Sequence, residues 1–200
     1  MKSIPLFMLF ALGHCCYGQT DTNLLAVGDW SAAVEDQQHW LRGRLLVYDD
    51  SVESAGNHAR VYLELQHVFH GFSSTVEIYF DACFGTGMHF HLENDFGEVA
   101  PSASIFLRGV MPNPTCLTLP CDSTVRVRAD LWHMQREAKP DGLQIIVNNG
   151  RGWIVPRNAT NDFFLWAEFT PPGGHRSPLN YFVWQGTLKL PRVRIPFKKP

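Results

Sequence analysis

The chain has 200 residues, 45% of them hydrophobic and 18% charged, with a formal charge of -2 at pH 7. That composition supplies a packed core and excludes a disordered chain. So small a net charge gives no overall field to draw in nucleic acid or an anionic membrane, and neither is expected as a partner.

Residues 1–18 read "MKSIPLFMLFALGHCCYG". Lys2 precedes an apolar run from Ile4 to Leu12, and small residues follow, which is the pattern of a secretory signal peptide. The run is too short to cross a bilayer. Cleavage after Gly18 is expected, leaving a mature chain from Gln19 with no transmembrane segment and a secreted or periplasmic destination. Lipid attachment at Cys15 or Cys16 is disfavoured, because His14 and Cys15 are poor residues to precede a lipidated cysteine. Residues 19–39 read as a lead-in, 40–196 as one β-sandwich domain and 197–200 as a basic tail.

Period-two alternation dominates that domain. "VYLELQH" sends Val61, Leu63 and Leu65 one way and Tyr62, Glu64 and Gln66 the other. "GMHFHLEND" sets Met88, Phe90 and Leu92 against His89, His91 and Glu93. In "VRVRADL", Val125 and Val127 oppose Arg126 and Arg128; in "FFLWAEF", Phe163 and Leu165 oppose Phe164 and Trp166; in "YFVWQGTLKL", Phe182, Trp184 and Leu188 face inward. Turn signals such as "MPNP", "KPDG", "NNGRG" and "PPGGH" lie between these runs, and no long amphipathic helical window appears. The expectation is an all-β fold, an antiparallel immunoglobulin-like sandwich of about seven to ten strands.

His89, His91 and Glu93 pose the main functional question. Histidines at i and i+2 are roughly 6.5–7 Å apart along a strand and two imidazoles can lean onto one metal. With "PPGGHRSPLN" they resemble the cupin pattern, with His175 as a further ligand. The spacing departs from that pattern: Glu93 follows His91 too closely, and the gap between the stretches is longer than usual. A solvated strand face is the favoured reading, so no cofactor is expected. Asp49 and Asp50 suit a hairpin end better than a calcium or sugar site. Asn158 in "NAT" is a glycosylation acceptor if the host is eukaryotic. No nucleophile elbow, phosphate loop or dinucleotide fingerprint is present, so no enzymatic activity is expected.

Six tryptophans are available, and alternation puts Trp132 and Trp166 on outer faces. With Tyr181 they form a candidate platform for stacking sugar rings. Beyond the signal segment three cysteines remain, Cys83, Cys116 and Cys121. A bridge between Cys116 and Cys121 needs a tight turn; with Leu117 to Leu119 extended, their α-carbons lie beyond the roughly 7 Å a disulfide tolerates. Cys83 paired with either one, or three reduced thiols, are the alternatives.

Several segments are informative in their order: "GDWSAAVEDQQHWLRGRL", "VYLELQHV", "LTLPCDSTVRVRADLW" and the closing "WQGTLKLPRVRIP". Together they resemble uncharacterised exported immunoglobulin-like domains of planctomycete-type bacteria, over about residues 28 to 196. The resemblance implies a fold and a compartment and carries no catalytic residue. The function expected is a non-enzymatic binding or scaffolding domain whose partner is a surface protein or a polysaccharide. A cupin-like metal protein and a carbohydrate-binding module are the alternatives.

Overall fold

The computed structural model describes residues 23–49, 58–69, 74–80, 87–103, 115–129, 142–147, 152–156 and 158–196. Residues 1–22, which include the segment expected to be a signal peptide, lie outside the described residues, as do Asp50, Cys83, Trp132 and the basic tail. Thirteen strands are present and no α-helix is found among the described residues, so the fold is all-β.

The largest sheet has seven strands. Its centre is the pair β3 (His39–Asp49) and β4 (His58–Val68), antiparallel from Trp40–Val68 to Asp49–Ala59. β1 (Leu24–Val27) and β2 (Val34–Asp36) pair with β3, so part of the expected lead-in belongs to the sheet. β8 (Thr124–Arg128) pairs with β4, as does β9 (Gly142–Ile146), which in turn pairs with β10 (Gly152–Pro156). A second sheet has the order β13-β11-β6, made by β6 (Met88–Asn94), β11 (Phe163–Phe169) and β13 (Leu188–Ile195). The third has the order β12-β5-β7, with β5 (Val76–Phe80), β7 (Thr115–Leu119) and β12 (Phe182–Val183).

Alternation decides which side chains enter the core. Val61, Leu63, Leu65, Phe90, Leu92, Leu165, Trp184 and Leu188 are buried in one cluster shared by all three sheets, while Val125, Val127 and Phe182 are half-buried against it. Gly43 brings two layers together: a Cβ there would lie 2.9 Å from Leu190 Cδ2, so its missing side chain is the space β13 occupies over β3. Gly87, at φ +109°, sits where a Cβ would lie 2.2 Å from the Thr170 carbonyl oxygen. Only glycine fits there, at the start of β6.

The expectation of uniformly antiparallel pairing is corrected. β4 and β9 are parallel through His58–Gln144 and Ala59–Ile145, and β5 and β12 through Phe182–Val76 and Val183–Glu77. Parallel neighbours need long crossovers instead of hairpins. Here each pair joins segments far apart in the sequence, so nothing local in either segment announces it.

Candidate ligand cleft beside His91 and Trp166

β6 is the edge of its sheet, and its outward row is His89, His91 and Glu93. Across the ladder on β11 stand Glu168, Trp166 and Phe164, in that order. Two neighbouring outward rows on a sheet approach closely enough for rings to stack. The His91 and Trp166 rings lie 3.9 Å apart and only 7° from parallel. Trp166 Nε1 donates to Glu93 Oε1 at 3.2 Å. The indole thus fixes an imidazole with its face and a carboxylate with its edge.

After Glu93 the chain turns back on itself. Asn94 Oδ1 accepts from the backbone N–H of Phe96 and of Glu98 (2.9 and 3.0 Å), and its Nδ2 donates to Glu98 Oε2 at 2.7 Å. The returning segment, residues 99–103, then stitches two sheets together. Ala100 N–H donates to the Leu92 carbonyl, Ile154 N–H to the Pro101 carbonyl, and Ala103 N–H to the Gly152 carbonyl. Between this segment, β6 and the start of β10 lies a cleft of about 380 Å³, lined in part by His91, Glu93, Val99, Ser102 and Trp153. That volume lies within the range of small-ligand sites. Val99 of its lining is 67% exposed, and Phe96, in the turn that precedes it, is 78% exposed. The cleft therefore combines an apolar wall and rim with an imidazole, a carboxylate and a hydroxyl.

The metal candidates do not come together. His91 lies flat on Trp166, His89 stands opposite Glu168, and His175 stacks on Tyr79 of β5 at 4.4 Å. Among the described residues no group of three His, Cys, Asp or Glu side chains is placed to hold a metal ion. The aromatic platform is also divided. Trp166 makes the contacts given above, Tyr181 makes no ring contact with it, and Trp132 lies outside the described residues.

Cys116 and Cys121 are free thiols. Leu117 to Leu119 are extended in β7, the geometry that keeps these two cysteines apart. Burial raises both thiol pKa values above the ordinary one, so neither is an activated nucleophile. Burial, with Cys116 and Glu77 beside it, also pushes the Tyr79 phenol up to about 12.

Sequence reasoning missed Ser102 and Trp153, whose short segments show no alternation, and the outer face of the seven-stranded sheet. The signal for that face was present in the alternation: Arg42 and Arg44 on β3 align with Gln66 and Glu64 on β4, and Arg126 on β8 aligns with Glu64. Among the described residues no helix is long and apolar enough to cross a membrane. The sequence matches no protein-family model, no curated protein and no solved structure.

Proposed function

We propose that this protein is an exported, non-enzymatic binding domain, an immunoglobulin-like sandwich in overall plan, and that its cleft takes a carbohydrate. The observation that carries the reading is the Trp166 indole, which holds His91 and Glu93 together at the cleft wall. Sugars present C–H faces and hydroxyl groups at once. A site for them needs apolar area held rigidly, with hydrogen-bonding groups fixed beside it. Trp153 and Val99 supply the first, and Glu93, His91 and Ser102 the second. The signal-like N-terminus and the lack of a catalytic motif support an exported binding role.

The test is retention on insoluble neutral polysaccharides, comparing wild type with Trp166→Ala and Glu93→Gln. Both substitutions should weaken binding by roughly tenfold or more, about the loss of one charge-assisted hydrogen bond. Thermal unfolding of each variant separates lost binding from lost fold. Equal binding by folded variants, or no binding by the wild type, ends the reading and leaves a protein-contact module.

A further inference from the structure

The near-zero net charge conceals an uneven distribution. On the outer face of the seven-stranded sheet, ladder register aligns Arg42 and Arg44 of β3, Arg60 of β4, and Arg126 and Arg128 of β8. The described carboxylates there are fewer. Glu64 is buried between two of the arginines, Glu35 stands opposite Trp40, and Asp29 precedes Trp30 in the chain.

The arginines of β3 are held in place before any ligand arrives. Arg42 Nε donates to Gln66 Oε1 at 2.7 Å, and Arg44 Nε donates to Glu64 Oε2. Glu64 Oε1 accepts from Arg126 Nε at 2.6 Å, and Arg126 Nη1 donates to the Tyr48 hydroxyl. The guanidinium carbons of Arg42 and Arg44 lie 4.9 and 4.5 Å from the centroid of the Trp30 ring. Among the described residues, each of these two arginines thus engages its partner side chain through Nε alone, which leaves the paired Nη edge, the fork that grips an oxyanion with two parallel hydrogen bonds. Residues two apart on a strand set such forks roughly 6.5–7 Å from one another.

From this geometry we infer that the outer face of β3, β4 and β8 binds an acidic polysaccharide through its carboxylate or sulfate groups, with Arg42 and Arg44 as the central contacts. A polymer of this kind lies along a flat face and is read only by its anions. Nucleic acid fits less well. Among the described residues no helix rises from this face to enter a duplex groove, and the Trp30 ring is engaged by guanidinium groups instead of standing free for base stacking. The inference is independent of the cleft.

Affinity chromatography and titration of the full chain test it, with heparin as the sulfate source, polygalacturonate as the carboxylate source and dextran as the neutral control. Wild type should bind one or both acidic polymers at low ionic strength and release them at high salt, whereas its retention on dextran should change neither with salt nor with the arginine substitutions. Arg42→Gln should weaken binding roughly tenfold. Arg44→Lys, which keeps the charge beside Glu64 and removes the fork, should weaken it severalfold in a protein that still folds. Trp166→Ala, behind the cleft residues His91 and Glu93, should bind acidic polymers as wild type does, so the two sites fail or succeed separately. No retention of the wild type, unchanged affinity in both arginine variants, or tighter binding of a DNA duplex or oligothymidylate than of either polysaccharide overturns the proposal.

Discussion

A Cβ added to Gly186 would fall 2.5 Å from the Trp184 ring, which is wholly buried. The glycine of the "WQG" stretch is therefore the surface on which the indole rests. Gly186→Ala should cost about 1–3 kcal/mol through overpacking. A lowered denaturation midpoint with an unchanged denaturant slope is the expected result. Glu64 is the second position where one side chain decides much. Its carboxylate is buried between Arg44 and Arg126. Glu64→Gln should destabilise by about 1–3 kcal/mol, because two half-exposed guanidinium groups lose a charge-assisted partner that water replaces only in part. Arg126→Gln should cost less, since Glu64 then keeps Arg44. Equal losses in the two variants would contradict the assignment of Glu64 as the hub.

Among elements, the junction of β3 and β4 with β7 and β12 contains two touching imidazoles. His39 Nδ1 and His67 Nε2 are 3.4 Å apart, and His67 Nδ1 lies 3.3 Å from the Leu119 carbonyl oxygen. His67 donates from Nδ1 to that carbonyl, so its Nε2 is left to accept from His39. Phe182 stacks on His39, and Ser74 Oγ lies 3.4 Å from His39 Nδ1. Burial lowers both pKa values below the ordinary 6.5, and the neighbouring His67 lowers that of His39 further. Asp36 facing His39, with Asp122 and the Leu119 and Pro120 carbonyls facing His67, oppose the shift without cancelling it. The unfolded chain thus binds protons more readily than the folded one. The contribution is fully present above the ordinary pKa and is lost as pH falls below about 6.5. Urea unfolding should show lower stability at pH 5.5 than at 7.5, and His67→Gln should flatten that dependence. Nothing local to either histidine announces this pair, because His39 and His67 meet only through the β3–β4 register. What alternation did reveal were faces. It separated Met88, Phe90 and Leu92 from His89, His91 and Glu93, and put Trp166 outward, because period two is a local property of extended chain. It could not show that Trp166 lies opposite His91, nor divide the strands among three sheets, since pairing is settled by distant partners. β2 and β12, three and two residues long, are too short to display any period.

At the scale of the molecule, three sheets share one core, and the meeting of β13 with β3 depends on a missing side chain at Gly43. Gly43→Val should push Leu190 and Leu65 out of place and cost about 1–3 kcal/mol, measured by chemical denaturation. The parallel pairing of β12 with β5 has a further consequence, in time instead of energy. More than a hundred positions separate Phe182 from its partner Val76, and β13 comes later still. A chain in which β12 and β13 complete sheets begun at β5 and β6 must close large loops before those contacts stabilise anything, so refolding belongs in the millisecond-to-second range of non-local β proteins. During synthesis the β3–β4 pair has its residues early, yet the space above Gly43 stays empty until Leu190 has been made. Through most of its elongation the growing chain therefore carries an unfinished core.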